Sequence, residues 1–223
     1  LTSWSVFAYN PENKRGEQNE RPEEIENVGI YEKLKSPIPA DVEFVDDNGN
    51  QVPLGYFLHN KKPLIISLVY YSCPSLCNLH LKGVFEVMAE MNLKPGEDYT
   101  LLAISFDPKE NKDLALAKKE TYIGEYLKKD PEQVKGIHFL TGNQESIKKL
   151  TDTVGFKYKW IEKNNEWAHA SAAILTTPTG IISRYLHGVY FEPKTFRLSI
   201  VEASKGLIGS LSDNFALFCF RYD

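Results

Sequence analysis

The run from Leu64 to Tyr70 is apolar except for Ser67, and it constrains the fold more than any other segment. A strand with one face in water alternates apolar and polar residues, whereas a continuous apolar run belongs to a strand covered on both faces. Lys61-Lys62-Pro63 introduces this strand, and it leads directly into Tyr71-Ser72-Cys73-Pro74-Ser75-Leu76-Cys77. Two thiols therefore sit where the following helix starts, a position at which thiols lose protons most readily.

The segments on either side repeat the pattern. After Cys77, the residues Leu81, Val84, Phe85, Met88 and Met91 fall at helical spacing and form one apolar stripe. Tyr99 to Phe106 is a second buried-strand candidate, closed by Asp107-Pro108, and Leu116, Ile123 and Leu127 mark a charged amphipathic helix. Ile137 to Leu140 is a short strand, followed by a helix on Ile147, Leu150 and Val154 that Asn143 can cap. Upstream, Val42 to Val45 and Gln51 to Leu54 flank Asn48-Gly49, whose positive φ angles would close a hairpin. Downstream, Ala170 to Leu175 and Ile181 to Tyr185 flank a Pro178-Thr179-Gly180 turn. A last helix follows Pro193, with Phe196, Ile200, Ala203 and Leu207 on one side. The order hairpin, βα, βα, βα, hairpin, α predicts an α/β fold, a mixed sheet between helices.

At 223 residues the chain can bury one large core. Its formal charge of −4 offers no basic field, so nucleic acid is not an expected partner. No run approaches the ~18 to 20 consecutive apolar residues of a membrane span. The chain starts at Leu1 rather than Met, lacks a signal-peptide pattern and ends in the apolar run 215–223, which together suit a trimmed product. Membrane attachment is then expected only through a missing anchor. Residues 1–29 read as an irregular arm, and 30–223 as the folded domain. Cys219, between Phe218 and Phe220, reads as a buried, inert thiol.

Two chemistries suit Cys73 and Cys77. On a helix, residues four apart face the same side with Cα atoms about 6 Å apart, near the upper end of what a disulfide spans. The pair could cycle as a disulfide or hold a soft ion between two thiolates. Two sulfurs are too few for an iron–sulfur cluster, so a metal would need a further ligand from the histidines. His80 continues the helical spacing from Cys73 and Cys77 if the helix starts early enough. His169 sits just before an apolar strand, where it can reach a neighbouring loop, while His59, His138 and His187 have no supporting context. Taken residue by residue, metal capture and redox exchange both remain open.

Three motifs together resemble a known family. Tyr71 to Cys77 after a buried strand, Ile104-Ser105-Phe106-Asp107-Pro108 after the next, and His169 followed by Pro178-Thr179-Gly180 are similar to the Sco/SenC family. The resemblance runs from about Gly29 to the C-terminus. It implies a thioredoxin-like fold, with a central mixed sheet flanked by helices and an N-terminal hairpin and extension. It also implies a copper-binding metallochaperone, carrying Cu(I) or Cu(II), that helps to assemble the binuclear copper site of cytochrome c oxidase. Carried onto this chain, Cys73 and Cys77 match two thiolate ligands, His169 an imidazole ligand, and Asp107 an aspartate near the site. The implied partners are the copper-site subunit of the oxidase and other copper carriers, and the implied location is extracytoplasmic, periplasmic or membrane-anchored facing the periplasm. Asn78 departs from the pattern, since many members carry proline there to fix the first helical turn.

Two other functions compete with this one. The first is a thiol–disulfide oxidoreductase, with Cys73 and Cys77 as its catalytic pair reducing a partner's cysteines. The second is a non-metal binding module on the same scaffold.

Overall fold

The computed structural model describes residues 26–127 and 131–209. Cys219, the apolar end and residues 1–25 of the expected arm lie outside the described residues. The first strand, β1 (Gly29–Ile30), is followed by the hairpin of β2 (Glu43–Val45) and β3 (Gln51–Pro53). Its turn needs only one positive φ, at Gly49 (90°), rather than one at both Asn48 and Gly49. The Asp46 carboxylate closes the loop by accepting from the amides of Asn48 and Asn50. A short 3₁₀ turn, Leu54–Leu58, leads to the central sheet.

The central strand β4 (Leu64–Val69) is buried at every position. It leads into α1 (Leu76–Glu90), then β5 (Thr100–Ser105) and α2 (Lys112–Tyr126). A one-turn helix, α3 (Pro131–Val134), precedes β6 (Ile137–Leu140), and α4 (Gln144–Thr153) follows, capped by the Asn143 side chain on the Ser146 amide. Next come the short strands β7 (Phe156–Lys157), β8 (Lys159–Ile161) and β9 (Glu166–Ala168). The chain then forms β10 (Ala172–Thr176), β11 (Ile182–His187) and α5 (Pro193–Ser204).

The main sheet has the order β11-β10-β4-β5-β6. Strands β4, β5 and β6 are parallel, as helical crossovers require. Strand β10 runs antiparallel to β4, with Ala173 opposite Ser67, and β11 folds back on β10. The mixed α/β sheet flanked by helices is therefore present, in the thioredoxin-like arrangement.

Two expectations change. Leu116 is 38% exposed, and α2 instead buries Ala115, Tyr122 and Ile123. A stripe read at three- and four-residue intervals can start one residue off when the helix is this charged. Leu207 lies beyond the end of α5 and is exposed, because Gly206, at φ 76°, turns the chain away. The hairpin β8–β9 was not predicted, since its strands are only three residues long and half-exposed.

Candidate metal centre

Strand β4 ends at Val69 and α1 begins at Leu76, so Cys73 lies in the intervening turn and only Cys77 is helical. The two thiols are thus not on one helix face, and the turn brings them together. The Cys73 amide donates to the Tyr70 carbonyl at 3.2 Å, and the Cys77 amide donates to Cys73 Sγ at 3.4 Å. The Cys73 sulfur takes one of the free N–H groups at the start of α1, where Ser75 makes no side-chain cap. Cys77 Sγ accepts from the Tyr70 amide at 3.3 Å. Each sulfur thus faces a backbone N–H, which favours thiolate character at the helix N-terminus.

His169 enters from the other half of the chain, one residue past β9. Its Nδ1–H donates to the Ala170 carbonyl at 2.8 Å, which fixes the tautomer and leaves Nε2 bare toward the sulfurs. Nε2 lies 3.2 Å from Cys77 Sγ. The ligand atoms of Cys73, Cys77 and His169 all lie within 4.8 Å of one another. Among the described residues, this is the one group of three or more such side chains that could hold an ion.

The two thiols differ in environment. Above all a hydrogen bond from Cys77 holds the Cys73 thiol well below its usual range despite burial. Burial, reinforced by the neighbouring Cys73, pushes the Cys77 thiol up. The two shifts run in opposite directions, so Cys73 is the more readily deprotonated of the two thiols. Cys73 and His169 line a cavity of about 530 Å³ together with Tyr70, Trp167, Leu76 and His187, while Cys77 sits behind them. Both cysteines are free thiols.

His80 is not part of the group. It lies on α1 and is 1% exposed. Its Nδ1–H donates to the Gly188 carbonyl at 3.0 Å, and Nε2 accepts from the Ser67 hydroxyl at 3.2 Å. The spacing of Cys73, Cys77 and His80 fails as a ligand set because the helix starts after Cys73. His80 satisfies the one polar residue of the β4 run instead.

The surroundings are built largely by the turn after β5. Asp107 accepts the Lys109 amide on Oδ1 and the Trp167 indole N–H on Oδ2, at 2.9 Å each. It does not touch the sulfurs; it fixes the strand that carries His169. Asn78 does not cap α1. Its Nδ2 donates to the Cys73 carbonyl at 2.7 Å, its Oδ1 accepts from Lys118 Nζ at 2.8 Å, and its own carbonyl accepts from the Tyr122 hydroxyl. The turn that proline would stiffen is tied to α2 instead. Glu110 was not singled out from the sequence, yet its carboxylate accepts four hydrogen bonds from the turn before Cys73 and from Ser105. A signal existed: β4 and β5 are parallel neighbours, so the loops at their C-terminal ends adjoin.

The family model described as SCO1/SenC matches residues 32–202. The chain belongs to the SCO1/SenC family. Solved structures share the fold. A protein from Aquifex aeolicus VF5 superposes with a TM-score of 0.68 at 24% identity, covering 81% of this chain and 98% of that one. ScoI of Arabidopsis thaliana, with copper bound, gives 0.58 at 19% identity over 78% and 99%. BsSco, described as carrying a disulfide switch and as a member of the Sco family of cytochrome c oxidase assembly proteins, gives 0.58 at 16% over 78% and 98%. No curated protein matches the chain. Within this SCO1/SenC domain, no helix of the described residues is long and apolar enough to cross a membrane.

Proposed function

We propose that the protein binds copper through Cys73, Cys77 and His169 and delivers it during assembly of the binuclear copper site of cytochrome c oxidase. The observation that carries this reading is the convergence of two sulfurs and a bare imidazole nitrogen within 4.8 Å, inside a SCO1/SenC domain. Two thiolates and one imidazole are soft and borderline donors of the kind Cu(I) takes. The spread of the three atoms suits metal–ligand bonds of about 2.0 to 2.3 Å around one ion. Three ligands leave a position for an incoming donor, unlike a closed four-ligand zinc site.

The chain's own residues account for uptake and release. Cys73 lines the cavity and is the more readily deprotonated thiol, so it meets the incoming ion first. Cys77 then loses its proton and closes the pair. His169, held through Nδ1 with Nε2 turned to the sulfurs, completes the set and can leave when a partner's ligand arrives. The copper bound in Arabidopsis thaliana ScoI and the oxidase-assembly role described for BsSco support this assignment. An extracytoplasmic location, periplasmic or membrane-anchored, is part of the same proposal, with the oxidase's copper-site subunit and other copper carriers as partners.

The test is a titration of the reduced protein with Cu(I). One equivalent is expected, and His169→Ala should weaken binding far more than His80→Ala. The reverse ranking would move the third ligand to His80 and overturn the assignment.

A redox reading of the same thiols is favoured by one observation. Cys73, which lines the cavity, has its thiol held low, and Cys77, behind it, has its thiol pushed up, as attacking and resolving thiols are arranged in dithiol exchange. Reduction of a partner's disulfide would begin with attack by the Cys73 thiolate, which breaks the partner's S–S bond, forms a mixed disulfide and releases one partner sulfur as thiolate. Cys77 would then displace the partner's second sulfur, leaving a Cys73–Cys77 disulfide and a reduced partner. Turnover of a disulfide substrate that is unaffected by His169→Ala would favour this reading.

A further inference from the structure

The geometry points to Glu110 as the positioning residue that holds the dithiol turn in the shape the site needs. The backbone leaves β4 at Val69, and the amides of Tyr71 and Ser72 have no strand partner beyond that point. Both turn toward one carboxylate. The Tyr71 amide donates to Oε2 and the Ser72 amide to Oε1, each at 2.7 Å. The Ser72 hydroxyl donates to Oε1 at 2.7 Å and the Ser105 hydroxyl to Oε2 at 2.6 Å. Bonds this short are those of an ionised acceptor. Because an amide donor sits on each oxygen, only a carboxylate satisfies both, and a carboxamide would set its NH₂ against one of them. No salt bridge reaches Glu110 among the described residues, so its charge serves these donors alone.

Glu110 is itself delivered by the turn that carries Asp107, since its amide donates to the Asp107 carbonyl at 3.2 Å. One turn thus braces both halves of the site. Asp107 holds the strand leading to His169, and Glu110 holds the backbone leading to Cys73. Ser72 is adjacent to Cys73, so a shift of its amide moves the first sulfur directly. That this position serves copper rests on the reading proposed above; the positioning itself does not.

Glu110→Gln in the full chain tests the assignment through three measurements on the reduced protein. Amide hydrogen exchange at Tyr71 and Ser72 should accelerate by about tenfold or more, as loss of a charge-assisted bond implies. The Cu(I) dissociation constant, measured by competition with a chromophoric chelator, should rise by about tenfold. The urea midpoint should stay close to that of the wild type. Ser105→Ala, which removes one donor but neither amide bond, should shift exchange in the same direction and by less. Unchanged exchange at Tyr71 and Ser72 in Glu110→Gln would overturn the proposal. So would a weaker Cu(I) affinity with unchanged exchange, since Glu110 would then act through charge and not position. A wild-type protein that binds no Cu(I) would remove the copper reading alone, and the exchange result would still decide the role of Glu110.

Discussion

The Trp167 indole donates to Asp107 Oδ2 at 2.9 Å, a contact between residues 60 positions apart. It links the turn after β5 to β9, the strand that ends one residue before His169. Asp107 therefore acts on His169 through Trp167 and the backbone between them. Replacing Asp107 with Ala removes the acceptor, and the Cu(I) affinity should fall by about tenfold. Asp107→Asn keeps one oxygen and should lose less. A chelator competition titration of both variants decides this, and equal affinities in Asp107→Ala and the wild type would sink it.

The asymmetry of the thiols predicts a reactivity order. Cys73 is held low first of all by the hydrogen bond from Cys77. At about pH 6 an alkylating reagent should therefore modify Cys73 before Cys77, as read by mass spectrometry of peptides. Cys77→Ala removes that donor, and the midpoint of Cys73 alkylation against pH should move upward. A midpoint that stays in place, or prior modification of Cys77, would contradict the arrangement.

His80 predicts a loss of stability in acid. Burial lowers it from 6.5 to about 4. The unfolded chain takes up the proton near pH 6.5, while the folded chain resists it until near pH 4. The stability tied to neutral His80 is therefore complete above about 6.5 and is lost as the pH falls toward 4. Between pH 7 and 4.5 this amounts to about 2 to 3 kcal/mol. Urea unfolding at the two pH values should show the wild type losing that much more than His80→Gln. Parallel losses in the two proteins would show that His80 is not the group responsible.

Gly83 predicts a packing cost. A Cβ built there would meet the Val189 carbonyl oxygen at 1.8 Å, so α1 and the loop after β11 approach too closely for any side chain. Gly83→Ala gains about 1 kcal/mol of helix propensity but forces that loop away, at a cost of about 1 to 3 kcal/mol or more. It should also loosen the Gly188 carbonyl from His80. A urea midpoint at or above the wild-type value would disprove the close approach.

Local pattern was enough for most of the framework. Strands β4, β5 and β6, helices α1, α4 and α5 and the β10–β11 hairpin follow from continuous apolar runs, helical spacing, a capping Asn143 and a Pro-Thr-Gly turn. Such signals act between near neighbours. The sequence also places two thiols at a strand-to-helix junction. It reached His169 by its place before a strand and, with Asp107, by family resemblance, while helical spacing also offered His80. The tertiary structure groups His169, and not His80, with the two sulfurs. Helix α1 starts only after Cys73, and β10 inserts antiparallel beside β4, which carries His169 across 92 positions to Cys77. Glu110, the Asp107–Trp167 bond and the Asn78–Lys118 tie depend on the same non-local strand order. No periodicity encodes them, because each joins segments whose only relation is the sheet between them.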